Sequence, residues 1–431
     1  MVKKTTFLTL VFIAGATAEE HKLTLRQAVE LALKQNPDLT LARLDEQKAH
    51  AAIAVSRDAF SPKVYGGSGL AYTSGFPSSI EGSSPSIFQL RTDMALYNRP
   101  QSYQVARARE NARGAVIGSQ AKAEEVAYQT ADLFLNAVQE AQSVTSARME
   151  VEILDRMHEG VQTLVGEGRE LPVAEKQSAL NTAKARQRAE VLQGDLDYSE
   201  ESLAVVLGFP PGDRVKAAAG EASGGAAWSE HLPESEDEAV DRAMANSKEI
   251  QQLESQLVAK GFEVRAQKAS RLPQIDVVAQ YALFARYNYQ DYFRTFQRNN
   301  GQLGVSIKIP LLVGSAPSGL AAQAETEIAK LRIQMGNTRG RVTVDAKKYY
   351  QDMKRAEGGR TVSKLDLEVA REQLSVLLAQ LDEGRVPRSR VDEERYAEQE
   401  KWLAFYESEH ALERARLNLL RRTGALQTAL R

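Results

Sequence analysis

Five histidines, His21, His50, His158, His231 and His410, are the side chains here best suited to hold a transition metal, and they are scattered along the chain. None stands in an H-E-x-x-H or comparable ligand spacing. The sequence also lacks a glycine-rich phosphate loop and a nucleophile elbow. Its 57 acidic residues supply many carboxylate pairs, but 26% of the chain is charged, so such pairs arise by chance along helix faces. The expectation is a protein with no catalytic site, no metal and no cofactor.

The 55 basic residues are interspersed among the acids, giving a formal net charge of -2 and no basic face for nucleic acid. Aromatic residues make up 6% of 431, which is lean for one large compact core and points to an elongated molecule. At the N-terminus Lys3 and Lys4 precede the apolar stretch 7–14 and then Ala16-Thr17-Ala18. That is the pattern of a secretory signal peptide cleaved after Ala18, so 1–18 are read as a signal. No later apolar run reaches the roughly 18 residues of a membrane-spanning helix. With zero cysteines the chain has no disulfide and no cysteine for an N-terminal lipid anchor.

The sequence repeats itself. A shift of 211 lays Ala28-Val29-Glu30 on Ala239-Val240-Asp241 and Pro62 on Pro273; a shift of 216 lays Glu167-Gly168-Arg169 on Glu383-Gly384-Arg385 and Gly208 on Gly424. This divides the chain into a first repeat at 19–208, a linker at 209–235 and a second repeat at 236–431. Each repeat reads as helix, hairpin, very long helix, glycine-containing turn and return helix. Thr24 can cap a helix starting at Leu25, with Gln27 as its capping-box partner. The long helices, about Pro100 to Val165 and Pro317 to Glu383, would each be on the order of 100 Å at 1.5 Å per residue. Such lengths belong to coiled coils or bundles. The turns LVGEGRELPV and LDEGRVPRSRV place glycine after one helix and proline before the next, making each a helical hairpin tip.

The hairpins, about 63–97 and 274–312, alternate in polarity. Ile275, Val277, Ala279, Tyr281 and Leu283 share one side of a strand, with Asp276 and Gln280 opposite. In the return strand Leu303, Val305, Ile307 and Ile309 oppose Gln302, Ser306 and Lys308. In the first hairpin Phe88, Leu90, Met94 and Leu96 oppose Gln89, Arg91 and Asp93. Strands of about ten residues cross a bilayer when tilted. Four strands leave two open edges, which hydrocarbon forbids, so closure needs at least two copies, and three would give twelve strands. The apolar faces would then meet lipid.

These features resemble the outer membrane efflux family of TolC-like exit ducts. The likeness lies in TLRQAVELALKQNPDLTLAR, in the prolines that open the hairpins (Pro62, Pro273), in the passage IPLLVGSAPSGLAAQAE and in the EGR tips. The resemblance implies a mainly α fold with β: an α-helical barrel continuous with a twelve-stranded outer-membrane β-barrel, four strands from each protomer of a homotrimer. It implies an outer-membrane location with a long periplasmic portion, and a passive channel in a tripartite efflux or type I secretion system. Its partners would be outer-membrane lipid, a periplasmic adaptor, and through the adaptor an inner-membrane pump or ABC transporter. The family's adaptor-contacting tips fall here on Gly168, Arg169, Gly384 and Arg385. Where many members close the entrance with acidic residues, this chain has Arg390 and Glu393 with Asp392 beside them, so the resemblance implies a mixed-charge gate. The alternative reading is a soluble periplasmic coiled-coil scaffold or adaptor.

Overall fold

The computed structural model describes residues 20–69, 86–210, 212–218, 231–284 and 297–430. The expected signal peptide, the hairpin turns and about half of the expected linker lie outside the described residues.

The first helix, α1 (Leu25–Gln35), starts where its sequence says it should. Thr24 Oγ1 accepts from Gln27 N at 3.3 Å, and Gln27 Oε1 accepts from Thr24 N at 3.1 Å, a complete capping box. Thr24→Ala is expected to cost about 1 kcal/mol, read as a lowered thermal unfolding midpoint in circular dichroism. Asn36 closes α1 and opens α2 (Pro37–Arg57). Its side chain accepts from Leu39 N at 3.0 Å and donates to Val206 O at 2.8 Å.

The element order then runs β2 (Lys63–Gly69), β3 (Ser86–Tyr97), the 68-residue helix α3 (Arg99–Gly166) and its return helix α4 (Pro172–Leu207). It repeats as α5 (Glu236–Asn246), α6 (Lys248–Lys268), β5 (Gln274–Phe284), β6 (Asn299–Lys308), the 67-residue α7 (Ala316–Asp382) and α8 (Arg388–Thr423). A last turn, α9, spans Leu426–Ala429. Among the described residues no helix is long and apolar enough to cross a membrane.

One element has no sequence forewarning. Strand β1 (Glu20–Leu23) pairs in parallel with β4 (Arg214–Ala217), inside the expected linker. Strands of four residues show no readable alternation, and the partners are far apart in sequence.

The elements group into two compact units, and each unit draws on both repeats. One holds the described residues of 1–39, 123–246 and 342–431. Its core packs Ala28, Ala32, Phe134, Leu203, Leu207 and Val215 together, beside a second cluster of Val29, Ala131, Leu135, Leu417, Leu420 and Leu426. Helix α1 therefore buries two faces, which is why its small apolar residues are packed at such close spacing. Each fully buried leucine contributes about 1.5–3 kcal/mol.

The other unit holds the described residues of 40–122 and of 247–341. Its four strands form one antiparallel sheet in the order β2-β3-β5-β6. Its helices follow the same order. Gln101 of α3 donates to Ser56 O of α2 at 2.6 Å. Ser255 of α6 donates to Glu110 O of α3 at 2.8 Å, with Arg107 and Glu263 3.3 Å apart. Lys268 of α6 meets Glu325 of α7 at 2.7 Å. The row α2-α3-α6-α7 thus has α2 and α7 at its ends, as the sheet has β2 and β6.

Candidate functional site: an open-edged sheet and two helical tips

The two hairpins join through β3 and β5, whose long antiparallel ladder answers how a hairpin embedded in helical sequence can exist. Cross-strand partners point to the same side of a sheet, so the register sorts the residues into faces. On one face Val277 stands between Met94 and Val305, Ile275 between Tyr97 and Ile307, and Tyr281 between Leu90 and Gly301. Phe88 is opposite Leu283, and Ala279 opposite Leu303. On the other face Gln280 stands between Arg91 and Gln302, and Asp276 between Ala95 and Ser306. Gln89, Asp93 and Lys308 fall on this side too, with Lys308 Nζ 3.3 Å from Asp276 and Arg91 3.2 Å from Asp93. The sheet is amphipathic across β3, β5 and β6.

Among the described residues nothing covers the apolar face. Leu303, Val305 and Ile307 expose 83%, 60% and 62% of their surface, and Phe88 and Leu90 are exposed as well. Ile309 is equally bare but lies one residue beyond β6. Ile275 and Val277 are half-buried. One reading shifts: the register slips between Ala95 and Tyr97, so Tyr97 rather than Leu96 comes opposite Ile275. A one-residue bulge re-aims every side chain beyond it, and nothing in the residue types announces it.

Among the described residues both outer strands, β2 and β6, have a partner on one side only. Each therefore presents a row of unpaired backbone donors and acceptors on its other side.

The tips repeat one geometry. Gly168 and Gly384 have φ of 72° and 70°, a region that favours glycine. Arg169 N donates to Leu164 O and Arg385 N to Gln380 O, both at 2.8 Å, while Gly168 N reaches Val165 O and Gly384 N reaches Leu381 O. These pairs are the Schellman closure of a helix end. Arg169 lies 3.2 Å from Glu167 and Arg385 3.0 Å from Glu383, so each arginine folds back on its own tip. The next helix starts with Pro172 in its first turn in one case, and with Pro387 as its N-cap in the other.

Beyond the second tip the three charges separate. Arg390 and Glu393 form an exposed ion pair at 2.7 Å. Asp392 turns inward, 7% exposed and 3.6 Å from Arg395, with Oδ1 accepting no hydrogen bond among the described residues. Residues two apart on a helix point about 200° away from each other, so this separation was legible in the sequence.

Elsewhere, a cavity of about 720 Å³ is lined by Glu200, Lys216, Met149, Trp402 and Tyr406, among others. Burial pushes the Glu200 carboxyl up from its ordinary value, and Lys216 is engaged with Glu20 at 2.8 Å. A lone acid beside a committed lysine makes no acid–base pair. Among the described residues no three or more acidic or histidine side chains cluster as a metal site.

No protein-family model matches the chain. Over 325 residues it is 23% identical to the outer membrane efflux protein BepC of Brucella suis, covering 72% of this chain and 66% of that protein, just under two thirds of its length. The crystal structure of the Campylobacter jejuni CmeC outer membrane channel superposes over 93% of this chain and 85% of that one, with a TM-score of 0.69 and 13% identity. The chain has the fold of the outer membrane efflux channels. The outer membrane protein VceC of Vibrio cholerae agrees over 93% of this chain and 96% of its own, at TM-score 0.71 and 13% identity. The helical rows, the paired hairpins and the glycine tips are thus the parts of a channel fold.

Proposed function

We propose that the protein is the outer-membrane exit duct of a tripartite efflux or type I secretion system. It works as a passive channel and not as an enzyme, and takes its driving force from an inner-membrane pump or ABC transporter reached through a periplasmic adaptor. The open-edged, two-faced sheet carries this reading. A sheet whose apolar face is bare and whose edges are unpaired is costly in water and forbidden in hydrocarbon, unless copies join into a closed barrel. Three copies give twelve strands, with Phe88, Leu90, Ile275, Val277, Leu303, Val305 and Ile307 toward lipid and Ile309 at the rim. The row of Gln89, Arg91, Asp93, Asp276, Gln280, Ser306 and Lys308 then lines a wet lumen. Kinship with a protein named as an outer membrane efflux protein supports the same assignment.

The tips at Gly168, Arg169, Gly384 and Arg385 are the adaptor-docking points, and the exposed Arg390–Glu393 pairs, backed by Asp392, form the periplasmic gate. Fractionation tests the reading. The protein is expected in the outer membrane as a heat-sensitive oligomer in SDS, and recovery as a soluble monomer would favour a periplasmic scaffold or adaptor. Arg169→Cys and Arg385→Cys keep the glycine conformations intact. Each is expected to crosslink to a periplasmic adaptor, whereas a cysteine at the exposed Ser68 of β2 is not.

A further inference from the structure

The cavity beside Glu200 exists because the two repeats differ there. Helices α4 and α8 both have 36 residues and correspond position by position at the shift of 216. Where α8 carries Trp402, Phe405 and Tyr406, α4 carries Arg186, Ala189 and Glu190, so the return helix of this fold forms without that aromatic run. The Tyr406 ring stacks on that of Trp402 at 5.4 Å and 27°, and the two make one wall of the cavity. On α3 the lining residues Ala137 and Ala141 stand where α7 has larger ones, Met353, packed in a core cluster, and Glu357, paired with Lys354 at 3.0 Å. The space opens where α3 is small and α8 is aromatic.

Its polar lining lacks donors. Glu200 is 6% exposed and accepts no hydrogen bond among the described residues. Its counterpart in the second repeat is Arg416, which has a partner in Glu413 at 2.8 Å. Gln399 Oε1, also in the lining, is buried and likewise accepts none among the described residues. Nearby charges leave Glu200 without a cation of its own: Lys216 is held by Glu20 at 2.8 Å, and Arg214 is shared between Asp197 at 2.8 Å and Glu201 at 3.1 Å. Two cations are thus divided among three acids before Glu200 is considered. Burial pushes the Glu200 carboxyl up, as it does for an acid taken out of water without full compensation.

A metal ion does not suit this site, because one carboxylate and one amide oxygen are too few ligands and much of the remaining wall is apolar. A cation carried on an apolar body does. Aromatic faces attract cations, and Arg371, outside the lining, already lies 5.6 Å from the centre of the Trp402 ring. The volume of about 720 Å³ is that of a pocket for a drug-sized molecule.

We propose that this cavity binds a protonated organic amine with an aromatic or branched apolar body, its ammonium at Glu200, Gln399 offering a further acceptor, and its body against the Trp402–Tyr406 wall. All of the lining belongs to one compact unit of a single chain, so the inference does not depend on the duct reading.

Fluorescence polarisation with the full chain, purified in a non-ionic detergent, tests it. Proflavine, a fluorescent amine protonated at neutral pH, is expected to bind saturably, and acridine, of similar shape and largely uncharged there, to compete at least about tenfold more weakly. Glu200→Gln, which keeps the shape and removes the charge, should weaken proflavine by about tenfold or more. Ala141→Phe, at an exposed position on the cavity's edge, should block the site by filling it, with helical content unchanged in circular dichroism. Arg186→Ala, the α4 counterpart of Trp402, should leave binding as it was. Proflavine binding that is absent, that does not saturate, that acridine matches, or that survives both Glu200→Gln and Ala141→Phe overturns the proposal and leaves the duct reading standing.

Discussion

Val305→Arg is expected to deplete the protein from the outer membrane and destroy its heat-sensitive oligomer, while Ser306→Arg, one residue further along β6, leaves both intact. The two positions differ only in the face of the pleat they occupy. Val305 continues the apolar row Met94–Val277–Val305, and Ser306 continues the polar row Ala95–Asp276–Ser306. An arginine facing lipid near the middle of a β-barrel costs about 2–4 kcal/mol per copy, whereas a lumen-facing one sits in water. In the proposed trimer three copies multiply the penalty during assembly. Ser306→Arg also places its guanidinium within reach of Asp276, an acid already 3.3 Å from Lys308, so it adds a charge where countercharge exists. The measurement is the amount of oligomer in purified outer membranes for each variant. Equal behaviour of the two would mean that neither face meets lipid, and the duct reading would fall with it.

Much of this was readable from residue order because the sequence obeys local rules that tertiary packing did not override. The capping box at Thr24 and Gln27 formed as spaced, and the long helices end within a residue or so of where glycine and proline punctuate them. Alternation in 275–283 placed each side chain on its face, because a one-residue shift of that strand would carry its whole apolar set to the polar side. What stayed hidden is non-local or singular. The β1–β4 ladder joins segments nearly two hundred residues apart through four pairs, and its strands carry no periodicity. The slip at Ala95–Tyr97 comes from how two strands meet, not from either strand alone. Asp392 and Arg390 are a different case: they were grouped by sequence proximity, although their two-residue helical spacing already turns them apart.

The duplication explains why the protomer is incomplete in so specific a way. Two repeats make one α6–α3 joint and one β5–β3 ladder, and among the described residues leave two strand edges without counterparts. A tandem repeat that does not close on itself has one joint fewer inside the chain than it has repeats, and in the proposed duct another copy makes the remaining one.

Gly424→Ala is the second large effect expected, and Gly384→Ala is its measure. Both glycines end long helices at nearly the same left-handed φ, 72° and 70°, so alanine pays the same backbone cost at each, about 1–2 kcal/mol. Their surroundings differ. At Gly384 a Cβ would meet nothing within 4 Å, while at Gly424 it would stand 2.5 Å from the Cβ of Asn246, a contact that real Cβ atoms do not make. Asn246 cannot simply swing aside, since its side chain donates to Thr423 O at 2.8 Å and its backbone ends α5. Forcing atoms into such a site adds about 1–3 kcal/mol through displaced backbone and strained rotamers. Gly208, the counterpart in the first repeat, falls between, with a Cβ 3.0 Å from Gln35 O. Thermal unfolding followed by circular dichroism in detergent should therefore rank the alanine variants with Gly384 the mildest, Gly208 next and Gly424 the most damaging. A Gly424→Ala variant no less stable than Gly384→Ala would show that the end of α5 yields where its hydrogen bond says it is held.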